Sequence, residues 1–228
     1  MKSYIIVIEG SDGSGRETQT KELVAKLKKE KYNVLSHSFP SKESPSAGPA
    51  RMFLEGELGE SDTCLDPYQA SVLFATDRLC SMKKFEKHLS EGGILVLDKY
   101  VSGNKIRQGP KFENPKERAK FFEWVEDFEY GTLKLPEPDL VFYLDVPSFV
   151  SKDIIEKKRL KKGKTVQEVA DIHEKTLKNI DKMNEVGRML AEKSHWELIR
   201  CVNAQGERLP IADIHKQIYE EVSKLISK

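Results

Sequence analysis

"YIIVIEGSDGSGRETQTKELVAKLKKE", residues 4–30, sets the architecture. Residues 4–8 are apolar throughout, which suits a strand buried on both faces. From about Gly15 to Glu30 the apolar positions Leu23, Val24 and Leu27 share one helical face. Between strand and helix lies a glycine-rich turn. Such a turn exposes consecutive backbone N–H groups beside a helix N-terminus, and together these form an anion site. Gly10 and Gly15 have the spacing of the phosphate-loop pattern G-x-x-x-x-G-K-[ST]. Two positions depart from it. Arg16 stands in the lysine slot, exchanging a point charge for a planar fork. Glu17 stands where a magnesium-binding hydroxyl belongs, and a carboxylate repels phosphate unless it points away or a cation lies between. Thr18 offers a hydroxyl, but one helical residue further rotates it by about 100°. The alternative is a tight strand-to-helix turn without a ligand.

Outward from this unit, short apolar strands alternate with helices. NVLSHSFP (33–40), GILVLD (93–98), DLVFYLDV (139–146) and HWELIRCV (195–202) read as strands. A short helix carries Met52, Phe53 and Leu54, and Asp66-Pro67 is an N-cap followed by proline at the first position of a long helix. FFEWVEDFEYG (121–131) and residues 209–226 read as helices, and residues 148–194 as two helices around a basic break, EKKRLKKGKT (156–165). This alternation indicates an α/β fold, a parallel sheet covered on both faces. The 228 residues suffice for one domain, 1–228, without repeats or linkers. Six of the eight residues 157–164 are basic, which suits a lid over phosphates, at about 157–168, better than a linker.

With 33% charged residues and a net charge of only +1, a broad nucleic-acid footprint is not expected. The apolar stretch 4–8 is too short for a secretory leader, and no run approaches the roughly 20 residues of a membrane span. Neither a membrane nor a nucleic-acid partner is therefore expected, and the expected location is cytoplasmic. Cys64, Cys80 and Cys201 are widely spaced and odd in number, which favours a reducing compartment without structural zinc. A regulatory GTPase would need N-K-x-D, but Asn104-Lys105 is followed by Ile106 and Arg107.

Some residues carry chemistry of their own. Asp98 ends a strand at the sheet edge where ligands bind in parallel α/β folds, and suits a magnesium or water-shell anchor. Lys99 follows it with a charge that can reach phosphate. Phe74 and Arg78 are four apart on a helix and share a face, an arrangement able to stack on a base and bond its edge. An ordinary surface contact is the alternative.

Five blocks occur in order along nearly the whole chain: EGSDGSG (9–15), FP (39–40), FATDR (74–78), DKY (98–100) and LDVP (144–147). Together they resemble the thymidylate kinase (dTMP kinase) family. The resemblance implies a five-stranded parallel sheet flanked by helices, transfer of the γ-phosphate of ATP to dTMP, use of Mg²⁺, and a homodimer. It implies that Gly10, Ser11, Asp12, Gly13, Ser14, Gly15, Arg16, Glu17 and Thr18 form the ATP-phosphate site, and that Asp12 orients the acceptor. It further implies that Phe39, Pro40 and Arg51 line the monophosphate site, that Phe74 and Arg78 meet the thymine, and that Asn104 and Gln108 read the base. Arg107 stands where some relatives have tyrosine against the sugar. Family members usually carry Asp-Arg-Tyr where this chain has Asp98-Lys99-Tyr100, so lysine and arginine are exchanged in opposite directions at 16 and 99, keeping two cations for the phosphates. Gly13 fills the loop slot that holds an arginine in some members, and Arg159 is the matching lid cation. Asp171 and Glu174 resemble acidic residues near the magnesium. Three readings follow: an active dTMP kinase, a kinase of dUMP or another pyrimidine monophosphate, and a nucleotide-binding protein with weak or no catalysis.

Overall fold

The computed structural model describes residues 2–59, 64–161 and 173–227. A five-stranded parallel sheet has the order β2–β3–β1–β4–β5 and is flanked by helices. Its strands are β1 (Tyr4–Gly10), β2 (Val34–Ser38), β3 (Ile94–Asp98), β4 (Leu140–Asp145) and β5 (Glu197–Arg200). Among the described residues the α-helices are α1 (Arg16–Lys29), α2 (Gly48–Glu55), α3 (Pro67–Ser90), α4 (Ser102–Gln108), α5 (Pro115–Glu126), α6 (Ser148–Lys161), α7 (His173–Lys193) and α8 (Ile211–Ile226). All of β1 is buried, as its apolar run 4–8 requires, and Glu9 is buried with it. Asp66 caps α3 by accepting from the backbone of Tyr68 and Gln69, while the Gln69 side chain returns the bond in a capping box.

The chain divides into two compact units. Unit 1 comprises residues 1–7 and 24–139. Within it β2 and β3 pair in parallel register from Val34 opposite Ile94 to Ser38 opposite Asp98. Leu95, Val96, Leu97, Tyr100 and Phe121 form part of its interior. Unit 2 comprises residues 8–23 and 140–228. There β4 and β5 pair from Phe142 opposite Glu197 to Asp145 opposite Arg200. Phe142, Tyr143, Leu144, Ile214 and Ile218 are buried in it. The last strand is four residues long, half the segment HWELIRCV that suggested it. Among the described residues, no helix is long and apolar enough to cross a membrane.

Candidate functional site

In unit 2, β1 runs into the glycine loop and α1 starts at Arg16. Gly13 has φ +79°, and a Cβ there would lie 2.8 Å from Ser151 Cβ. Gly15 has φ +96°, and a Cβ would lie 2.5 Å from Arg208 Nη2. Gly13 needs glycine for conformation and for space, Gly15 for conformation. The Arg16 guanidinium is buried and turns back on its own loop. Its Nη1 donates to the Gly10 and Ser11 carbonyls, the second at 2.6 Å, and its Nη2 lies 3.6 Å from Asp12 Oδ1. Glu17 points along the surface of α1, where it accepts from Lys21 at 2.9 Å, and Thr18 is exposed.

Nothing in the sequence singled out Arg208, 194 residues from Ser14. It lies in the turn after β5 and donates to the Gly13 carbonyl at 3.1 Å and the Ser14 carbonyl at 2.8 Å. Burial lowers its pKa, and the neighbouring Cys201 raises it. Four loop carbonyls are thus held by two guanidinium groups. A peptide plane whose carbonyl is held on one side presents its N–H on the other, the polarity an anion site needs. The hydroxyls of Ser11, Ser14 and Ser151 are buried and have no hydrogen-bond partner among the described residues. Such unused donors suit phosphate oxygens. In the LDVP block, Asp145 accepts from Arg188 at 2.9 Å.

In unit 1, Asp98 ends β3. Its Oδ2 accepts from Ser38 Oγ at 3.3 Å, and its carbonyl accepts from Phe39 N at 3.0 Å. Lys99 follows in left-handed backbone, φ +69°, which is uncommon for a side chain of this kind. Phe39 is buried, with its ring 4.8 Å from that of His37. The segment after the Phe39-Pro40 pair is anchored by Asp77. Its carboxylate accepts from Ser41 N at 2.7 Å, Ser41 Oγ at 3.0 Å and Ser46 Oγ at 2.7 Å. Arg51 Nη1 donates to the Ser41 carbonyl at 3.2 Å and the Ser44 carbonyl at 3.0 Å. Asp77 lies inside the FATDR block, but only Phe74 and Arg78 were singled out there; its role depends on tertiary contacts 31 and 36 residues away.

Phe74 and Arg78 do share the buried face of α3. Phe74 packs with Ala50, Phe53 and Ala70, edge-on to the Phe53 ring at 6.2 Å. Arg78 is held by Glu129, from the π-helical turn Asp127–Thr132: Nε to Oε2 at 2.5 Å and Nη2 to Oε1 at 2.6 Å. Burial pulls the Arg78 pKa down, but the charge and hydrogen bonds of Glu129 raise it above its ordinary value. Asn104 Nδ2 donates to the same carboxylate at 2.9 Å and to the Ser71 carbonyl at 3.2 Å. One turn along α4, Gln108 Oε1 is buried without a partner among the described residues. Arg107, between them, is half-buried. Glu129 was hidden in an acidic stretch, EDFE, that carries no motif.

Residues 162–168 of the expected lid, Asp171, and the side chains of Arg159 and Glu174 lie outside the described residues. Among the described residues no three His, Cys, Asp or Glu side chains gather as a metal cage. Asp98 is a single carboxylate, fit to reach a cation carried mainly by phosphate and water.

The family model described as "Thymidylate kinase" matches residues 8–205. Curated relatives include a thymidylate kinase of Plasmodium falciparum (isolate 3D7), 28% identical over 225 residues, covering 98% of this chain and 91% of the relative. A probable thymidylate kinase of Pyrococcus horikoshii is 30% identical over 220 residues, 96% of this chain and 95% of the relative. A thymidylate kinase of Mycobacterium tuberculosis is 31% identical over 137 residues, 59% and 62% of the two chains.

Proposed function

This chain belongs to the thymidylate kinase family, and we propose that it transfers the γ-phosphate of ATP to dTMP, giving dTDP and ADP. The observation that carries this reading is the glycine loop, with the carbonyls of residues 10, 11, 13 and 14 all taken up by Arg16 and Arg208. Phosphoryl transfer asks a protein mainly for positioning and positive charge around the moving group. The loop N–H groups would hold ATP phosphates, with Arg16 as a cation beside them.

On the acceptor side, Arg51 and Lys99 would bind the monophosphate, Asp12 would orient it, and Phe39 and Pro40 would line its site. Phe74 would stack on the base, and Arg78, Asn104 and Gln108 would read its edge. Arg159 is our choice for the lid cation. Asp98 would reach Mg²⁺, with Glu174 as a further candidate. A metal held there would supply positive charge to offset that of the phosphates. Lysine and arginine are exchanged at 16 and 99 relative to the usual family pattern, and the pair would compensate. If so, Arg16→Lys and Lys99→Arg each lose more activity alone than together. A homodimer and a cytoplasmic location complete the proposal, and light scattering tests the first.

The deciding experiment is coupled ADP production with ATP, Mg²⁺ and each of dTMP, dUMP and dCMP, beside calorimetric binding. Turnover with dTMP above about 1 s⁻¹, the low end of ordinary enzyme rates, is expected. Binding of dTMP without turnover would replace a kinase with a nucleotide-binding protein. Faster turnover with dUMP would move the acceptor.

A further inference from the structure

We propose that Glu129 is a positioning residue that sets the hydrogen-bonding polarity of the base site, so that Asn104 meets the base as an acceptor and Arg78 as a donor. The inference rests on the dTMP reading of that site and adds what selects the base.

The amide of Asn104 has one donor end and one acceptor end. Its nitrogen lies 2.9 Å from a Glu129 oxygen and 3.2 Å from the Ser71 carbonyl. Carbonyl oxygens only accept, and a carboxylate bonded on both oxygens by a guanidinium accepts as well. The amide therefore cannot flip without placing its own oxygen against two acceptors. Both N–H bonds are spent inside the protein, and Oδ1 is left for a ligand. Glu129 acts on Arg78 in the same way. It takes Nε and one N–H of Nη2, leaving the outer edge of the guanidinium, Nη1 and the second N–H of Nη2, to donate. One turn from Asn104, Gln108 contributes a second buried acceptor, Oε1, with no partner among the described residues.

An acceptor beside a donor matches an N–H beside a carbonyl. Thymine and uracil present that pair at N3–H and O4. Cytosine presents the reverse, an unprotonated ring nitrogen beside an amino group. Glu129 thus selects the imide edge without touching it. Because it also cancels the charge of Arg78, the site offers an uncharged base a donor without a net charge.

The test is calorimetric binding of dTMP and dCMP to the full chain and to Glu129→Gln, with KM for ATP alongside. A glutamine amide can donate to Asn104 and let it turn. Expected is a loss of dTMP affinity of tenfold or more, a narrowed preference for dTMP over dCMP, and an unchanged KM for ATP. Glu129→Asp keeps the charge but shortens its reach, and serves if the glutamine variant does not fold. It should move the preference the same way, by less. Equal losses for both nucleotides, or an unchanged preference, would overturn the role of Glu129. A wild-type chain that binds no dTMP would overturn the underlying reading instead, before any variant is made.

Discussion

The half-buried Arg208 and the buried Arg78 serve the glycine loop and the base-side cluster in opposite ways. Arg208 gives its hydrogen bonds to the neutral carbonyls of Gly13 and Ser14. Burial lowers its pKa, and among the described residues the thiol of Cys201 alone raises it. Arg78 gives two bonds to the Glu129 carboxylate, which more than offsets burial. Carbonyls hold a guanidinium without cancelling its charge, whereas a carboxylate holds it and cancels it. A loop that must attract polyphosphate keeps net positive charge. A site for a neutral base needs direction, and a surplus cation there would favour any anion over the right base. The acceptor chosen by the fold thus decides whether an arginine acts as a charge or as a shaped donor.

The largest effect should come from removing charge at the loop. Arg16→Met is expected to lower kcat on the order of 10³-fold, the scale of a lost cation in phosphoryl transfer. Calorimetric dTMP affinity should not change. A fall in dTMP affinity of similar size would break the division of labour between the two regions. Next comes Arg78→Met, which strands a buried carboxylate. Removing one member of a buried ion pair costs about 3–5 kcal/mol, read as a shift in the urea midpoint. A variant as stable as the parent would mean that Glu129 is not held by charge, and the contrast would fail.

Much of this was legible in the sequence. The apolar runs gave the strands, because a strand covered on both faces leaves no place for polar side chains. The order of the five blocks pointed to the family that the matched residues 8–205 bear out. Two residues that define the comparison were not legible. Glu129 sits among Glu126, Asp127 and Glu123, and only a π-helical turn distinguishes it by turning it inward. Arg208 reads as one charge in a polar turn, and its partners are backbone carbonyls, which leave no trace in side-chain identity. The departures at 16 and 17 were legible as departures but not as outcomes. That Glu17 pairs with Lys21 along α1 rather than crowding the loop depends on its position on the helix surface.

A smaller effect is expected at Arg208. Its two bonds to neutral carbonyls leave no stranded charge when lost, so Arg208→Met should cost about 1–2 kcal/mol of stability. If half of that relaxes the loop, KM for ATP rises several-fold, since each 1.4 kcal/mol is tenfold. KM for dTMP should not follow it. Steady-state kinetics varying each substrate in turn separates the two. Equal rises would show that Arg208 supports the fold and not the loop.

His37 provides the smallest effect and an intermediate case between the two arginines. Burial lowers its pKa, Asp77 raises it and Lys84 lowers it, and burial prevails. Distance explains why a carboxylate wins at Arg78 and loses here. Glu129 touches its arginine, whereas Asp77 reaches His37 through Ser41, whose Oγ lies 2.7 Å from His37 Nε2 and 3.0 Å from Asp77 Oδ1. With the Ser41 proton directed to Asp77, His37 is the donor, a neutral ring with hydrogen on Nε2. In the unfolded chain it takes up a proton near its ordinary value of 6.5, before the folded form does. Its contribution is therefore complete above that pH, shrinks as pH falls below it, and is gone once pH has passed the lowered folded value. His37→Gln should flatten this slope while keeping a donor for Ser41. Urea midpoints across the range from about pH 5 to pH 7.5 provide the measurement. Parallel slopes for variant and parent would show that His37 titrates alike in both states, and that Asp77, acting through one hydroxyl, already offsets burial.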